Sequence, residues 1–225
     1  MQAIIGSKRA RGSSRKESRR RGEAPEADTG SCEMGEPITM DEVRREAFAA
    51  NWEVFLSSMP SRIRLIFLDV DGVLATRPRV VEHRCARLIY QLISATGASI
   101  VISSTWRYAL ASKQLLLQGL VAVGCSRTAI VGQTPDKNPL DRPDEIRSWI
   151  AKHWQQIQDV TTDCRYVVID DWDLLDIDAT LEPHFVRTHA SRGFTAADLH
   201  KALRILDPGI EIEQPVEESA TCAVL

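Results

Sequence analysis

A doubly wound α/β domain, with a mainly parallel sheet and flanking helices, is the architecture this sequence predicts over residues 61–207. Three observations predict it. Short, continuous apolar runs alternate with segments of helical period, as the strands and crossovers of βαβ units do. The runs carry no polar face, which suits strands covered on both sides. Two of them, Leu65–Leu68 and Tyr166–Ile169, end directly in acidic residues, and such folds place their chemistry at the C-terminal strand ends.

The elements follow in order. Residues 1–22 hold eight Lys or Arg against Glu17 alone, and residues 23–43 hold seven acids and no base. With few apolar groups to offset ordering entropy, residues 1–37 are expected to be a disordered tail, basic and then acidic. Thr39-Met-Asp-Glu42 has the form of a capping box, and Val43, Ala47, Phe48 and Phe55 continue at helical spacing, so residues 38–60 are expected to form a helix on the core, ended by Pro60. Leu65–Leu68 is the first strand. Cys85, Leu88, Ile89, Leu92 and Ile93 share a helical face, and Gly97 stands at its C-cap position. Ser99–Ile102 is the second strand, followed by a helix from about Ala109 to Gln118, and Ala129–Val131 is a weak third. Pro143 in a first turn, with Asp144 and Glu145 behind it, opens a helix that turns Ile146, Trp149, Ile150 and Ile157 inward. Tyr166–Ile169 and Phe185–Val186 are the last strands, and Thr195-Ala-Ala-Asp198 caps a helix carrying Leu199, Leu203 and Leu206. Residues 208–225 read as a flexible acidic tail.

Composition narrows the function. An apolar share of 44% in 225 residues supports a core, and a net charge of -3 names no partner. The five cysteines are scattered and odd in number, with no Cys-x-x-Cys pair, which favours a reducing, intracellular setting, cytoplasmic or nuclear. No cysteine has an Arg six positions later, so a thiol-phosphatase loop is absent, and His184 and His189 lack a third zinc ligand. No apolar run reaches the ~20 residues of a membrane helix.

The chemistry lies at the strand ends. In Asp69-Val-Asp71-Gly72 the two carboxylates point the same way along an extended chain, and Gly72 permits a sharp exit from the sheet. One carboxylate can attack phosphorus while the other handles a proton. Asp170-Asp171 ends another buried strand, so both acidic pairs converge on one edge, where close carboxylates call for a cation. All-oxygen ligands suit Mg²⁺. Ser103-Ser104-Thr105 ends the second strand, where hydroxyls and N–H groups can hold a phosphoryl group. Arg107 offers a two-pronged substrate contact, and either Arg142 or Lys137 can bring positive charge to the edge.

These four segments, in this order and on these strands, resemble the motifs of the haloacid dehalogenase (HAD) superfamily, whose fold is Rossmann-like. Ile102-Ser-Ser-Thr-Trp-Arg107, Arg142-Pro-Asp-Glu-Ile146, Phe185-Val-Arg-Thr188 and Gly193-Phe-Thr195 resemble a narrower branch, the HAD domain of multidomain RNA-repair proteins. The resemblance implies a phosphatase working through an aspartyl-phosphate. Asp69 is then the nucleophile and Asp71 the acid and base. Mg²⁺ lies between Asp69, the Asp71 carbonyl and one or both of Asp170 and Asp171. Ser103 or Ser104 binds phosphoryl oxygens, and Arg142 or Lys137 offsets charge. One helix fills most of the interval from Asp71 to Ser103, leaving no room for a large cap. An uncapped site accepts a large phosphorylated substrate, such as a nucleic-acid end. Phosphoryl transfer to another acceptor is an alternative on the same residues, and a catalytically idle binding module or scaffold is the alternative from another class.

Two terminal signals remain. The basic tail suits a nuclear-localisation signal, a nucleic-acid contact or an anionic membrane, and equally a solvated tail. Cys222-Ala-Val-Leu225 has the form of a prenylation signal, which would attach the chain to a membrane.

Overall fold

The computed structural model describes residues 48–136 and 142–210. The expected Thr39 capping box, the N-terminal tail, all of the C-terminal tail beyond Ile210, Lys137 and Cys222 lie outside them. The elements are α1 (Phe48–Ser57), β1 (Ile63–Leu68), α2 (His83–Thr96), β2 (Ser99–Ile102), α3 (Leu110–Val121), β3 (Ile130–Gln133), α4 (Arg142–Val160), β4 (Cys164–Asp170), β5 (Phe185–Arg187) and α5 (Ala196–Leu206), with short 3₁₀ turns between several of them.

The five strands form one sheet in the order β3-β2-β1-β4-β5, and every pairing is parallel. The sequence predicted a mainly parallel sheet; among the described residues it is wholly so. The strands are apolar on both faces because both faces are covered. Ile66, Leu68, Ile100, Ile102, Val167 and Ile169 pack in one cluster with α2, α3 and α5. Leu65, Phe67, Val101 and Val168 pack in the other with Trp52 of α1 and Ile146, Trp149 and Ile157 of α4. Burying each of these larger side chains is worth about 1.5–3 kcal/mol.

Local chemistry fixes the element ends. Gly97 takes a left-handed conformation at φ 69° and its N–H caps Ile93 O at 2.8 Å, as its place in the sequence predicted. Thr195 and Asp198 form a reciprocal capping box at the start of α5, which buries Leu199, Leu203 and Leu206.

Register decides what the sheet can do. Leu68 lies opposite Ile102 on one side and Ile169 on the other, Ile102 opposite Gln133, and Asp170 opposite Arg187. The next residues, Asp69, Ser103, Thr134, Asp171 and Thr188, therefore meet at one edge. The chain steps outward from β1 to β3 and then returns to the other side of β1, so the direction of winding reverses between β1 and β4. That reversal opens a crevice at the carboxyl ends of these two strands.

Candidate active site

Asp69 and Asp170 end the neighbouring strands β1 and β4, and both are almost completely buried, at 5% and 1% exposure. Asp69 N–H donates to Ile169 O at 3.0 Å, which locks the two strand ends together. Carboxylate oxygens of Asp69, Asp170 and Asp171 all lie within 4.8 Å of one another. Asp71 stands outside that cluster. Its side chain is exposed, and its Oδ2 accepts a hydrogen bond from Trp106 Nε1 at 3.0 Å.

Gly72 makes the cluster possible in two ways. Its φ of 71° lies in the left-handed region, and a Cβ there would fall 2.3 Å from an Asp171 carboxylate oxygen. The turn is held by three N–H groups, those of Val73, Leu74 and Ala75, converging on Val70 O. Thr188, at the end of β5, donates its hydroxyl to Gly72 O at 2.9 Å and its N–H to Asp170 O at 2.9 Å. Thr188 thus joins the two acidic segments. The sequence reading gave it no role of its own, because nothing local reveals that β5 ends beside β4.

Arg142 opens α4 and reaches back into the crevice. Its Nη1 donates to Asp170 Oδ2 at 2.7 Å and to Asp69 Oδ1 at 3.2 Å, and contacts Ser103 O. The guanidinium also lies 5.6 Å from the centre of the Trp172 ring, which is 44% exposed. Of the two bases the sequence offered, Arg142 is the one the described residues bring to the acids.

The electrostatics follow from burial. Burial pushes the Asp69 carboxyl up to about 6, against the opposing pull of Arg142, the Ser104 hydroxyl and the Val70 N–H. Burial, then the neighbouring Asp69 charge, pushes Asp170 up to about 7. Asp171 is raised too, chiefly by burial. Burial works against the Arg142 charge, but Asp170 and Asp69 outweigh it and raise its pKa further. Three acids beside one base leave the edge short of positive charge, and an oxygen-only donor set fits a hard divalent cation.

The serines divide. The Ser104 hydroxyl lies beside Asp69 and accepts from Trp106 N–H at 3.4 Å. The Ser103 hydroxyl is buried and has no hydrogen-bond partner among the described residues. Thr105 starts the 3₁₀ turn that carries Trp106 and Arg107. Arg107, expected to meet substrate, is placed elsewhere. Its guanidinium is buried and pairs with Glu145 at 2.7 Å while donating to Ser104 O at 2.9 Å. Glu145 was read only as a helix-opening acid. It also lies 3.4 Å from the Thr134 hydroxyl and 4.0 Å from Arg142 Nε. Its burial partner comes from a distant element, so helical spacing could not announce it.

The family model of the HAD domain in Swiss Army Knife RNA repair proteins matches residues 65–199, more than half of the chain. The chain belongs to this family. No curated protein and no solved structure matches it. The HAD domain carries its acidic edge without a large cap: between Asp71 and Ser103 stand a hydrogen-bonded turn, α2 and β2. No helix among its described residues is long and apolar enough to cross a membrane.

Proposed function

We propose that this HAD domain is a Mg²⁺-dependent phosphohydrolase that removes a phosphoryl group through an aspartyl-phosphate on Asp69. The observation that carries the reading is the cluster of Asp69, Asp170 and Asp171 at the β1/β4 crevice, with Arg142 bridging the two buried acids.

Asp69, Asp170, Asp171 and the Asp71 carbonyl would hold the ion. When bound, it neutralises the carboxylates and the phosphoryl oxygens and so lets an anionic nucleophile approach an anionic substrate. Asp69 attacks phosphorus through a carboxylate oxygen, forming the acyl-phosphate bond as the bond to the leaving oxygen breaks. Asp71, hydrogen-bonded to Trp106, gives its proton to that leaving oxygen. It then takes a proton from water, whose oxygen attacks phosphorus and frees Asp69 with release of phosphate. The unpartnered Ser103 hydroxyl is a donor for the phosphoryl oxygens, and Arg142 holds Asp69 and Asp170 in place.

The absence of a large cap favours a bulky substrate, and the family's occurrence in RNA repair proteins favours a phosphorylated nucleic-acid end. Exposed Trp172 beside Arg142, and exposed Tyr108, are aromatic surfaces that a base can stack on.

Hydrolysis of a generic aryl phosphate with and without Mg²⁺, repeated with Asp69→Asn, tests the chemistry. Turnover should require the ion, and the substitution should lower it by at least about 10³-fold, since it removes the nucleophile itself. Full activity in the variant would overturn the mechanism. On the substrate side, phosphorylated oligonucleotide ends should be turned over with higher kcat/KM than small phosphomonoesters; the opposite order would remove the nucleic-acid reading.

A further inference from the structure

The acidic edge opens on one side into a second cavity. It has a volume of about 530 Å³, begins at Asp171, the half-buried member of the cluster, and runs past the end of β5 to the start of α5. Arg187, Thr188, His189, Arg192 and Asp198 line it.

Charge is divided sharply around this cavity. Residues 184–197 hold Arg187, Arg192, His184 and His189 and no acid, in a chain whose net charge is -3. Residues 172–178, which follow Asp171, hold Asp173, Asp176 and Asp178 and no base. An anionic strand leaving the acidic edge is repelled over the second segment and attracted over the first.

The basic turn is held in a fixed place. The N–H groups of Arg192 and Gly193 both donate to His189 O, at 2.8 and 2.9 Å, and Phe194 N–H donates to Val73 O at 2.8 Å. Gly193 has a φ of 62°, and a Cβ on it would fall 2.7 Å from Val73 O. Arg84 of α2 donates to Arg192 O from the other flank. The turn is therefore fastened to the chain that follows Asp71, while Thr188, just before it, is bonded to Gly72 O. A group held here keeps a set position relative to the acids.

Its donors are available. Arg192 is exposed, and no acidic group pairs with it among the described residues. Ser191 N–H donates to His189 Nδ1 at 3.4 Å, which leaves the proton of the neutral ring on Nε2 and makes that atom a donor. Arg187 is shared with Asp173. The two acids of the lining are already engaged. Asp171 belongs to the acidic cluster, and Asp198 Oδ2 accepts from the Thr195 N–H and hydroxyl at 2.9 and 2.7 Å.

We propose that this cavity binds a second phosphate of the substrate, the phosphodiester next to the phosphoryl group at Asp69, with Arg192 and His189 as its donors. A guanidinium meets the two free oxygens of a diester in a planar fork. The proposal rests on the phosphohydrolase reading and sharpens it. The substrate is the phosphorylated end of a nucleic-acid strand at least two nucleotides long, and a lone nucleoside monophosphate leaves the cavity unfilled.

The test uses a dinucleotide with a terminal phosphate, made once with its natural diester and once with an uncharged methylphosphonate in that place. Binding is read with Mg²⁺ in the full chain carrying Asp69→Asn, where nothing is consumed, and turnover is read in the parent. The diester should be favoured about tenfold in Kd and in kcat/KM, the size of one charge-assisted contact. Adding Arg192→Ala should weaken the diester to the level of the neutral compound, and Arg192→Lys should keep part of the preference. Arg204→Ala, in the last turn of α5, should leave the preference intact. Equal binding of the two compounds without these substitutions, or a preference that survives Arg192→Ala, would overturn the proposal. So would loss of both compounds alike in Arg192→Ala, which would mark a structural residue. A nucleoside bisphosphate bound as tightly as the dinucleotide would assign the cavity to a small molecule and overturn the strand. A diester preference in binding without any phosphate release would support the cavity and overturn the hydrolytic reading alone.

Discussion

Gly72 carries two constraints at a single position, a left-handed φ and an Asp171 carboxylate lying where a side chain would begin. A Gly72→Ala chain meets both. The left-handed backbone alone costs roughly 1–2 kcal/mol in an L-residue, and the methyl must push Asp171 out of the acidic cluster. The expected outcome is a modest fall in melting temperature with a disproportionate loss of Mg²⁺ affinity and of kcat. Titration of Mg²⁺ against the variant, read beside its thermal unfolding, checks it; unchanged Mg²⁺ affinity would show that Asp171 is dispensable to the ion. Arg107 shows how local sequence can leave a partner unseen. Arg107 follows a phosphate-binding type of strand end and looks available, yet its partner is Glu145.

That pair belongs to the scale of elements. Arg107 sits on the 3₁₀ turn after β2 and Glu145 in the first turns of α4, so their ion pair joins two elements that both feed the active edge. Both side chains are at least 98% buried, since their exposures are 2% and 1%. Removing Arg107 takes from the buried Glu145 its closest charge partner, and the loss of one member of a buried pair typically costs about 3–5 kcal/mol. Arg107→Ala should therefore lower stability by an amount of that order, measured by denaturant unfolding. A substrate contact would behave differently: stability would hold and KM would rise. Arg142, three positions before Glu145 in the first turn of α4, lies 4.0 Å from the same carboxylate. The Trp106 indole on the same 3₁₀ turn holds Asp71, so one short element sets both the proposed proton-transfer group and a structural pair.

For the whole molecule, the proposed Mg²⁺ site would link protons, metal and folding. Asp69 and Asp170 have folded pKa values of about 6 and about 7, raised from 3.8 mainly by burial. An acid that binds its proton more tightly when folded contributes stability that is complete below its unfolded pKa and is lost as pH rises through the folded one. The metal-free protein should thus lose stability between about pH 4 and about pH 7, and Asp170→Asn should flatten that slope. Mg²⁺ must displace these protons, so its affinity should rise over the same interval and its stabilising effect should be larger at the alkaline end. At 100 times its Kd the ion would add about 2.7 kcal/mol. Melting curves at several pH values, with and without Mg²⁺, measure both effects; a metal-free stability that rises with pH in this interval, or stabilisation independent of pH, would contradict the linkage.

The sequence by itself determined the strands, the helices and the alternation that makes them a parallel sheet, because apolar runs, Gly97 and the Thr195–Asp198 box act through neighbours in the chain. It also marked the acids, since each pair directly follows a buried strand. Tertiary structure decided what touches them. The register of β1 against β2 and β4 brought Asp69, Ser103 and Asp170 level, and α4 delivered Arg142 between two carboxylates. It also committed Arg107 to Glu145 and gave Thr188 a place beneath the Gly72 turn. Each of these contacts joins residues far apart in the chain, and spacing along a chain records only local geometry.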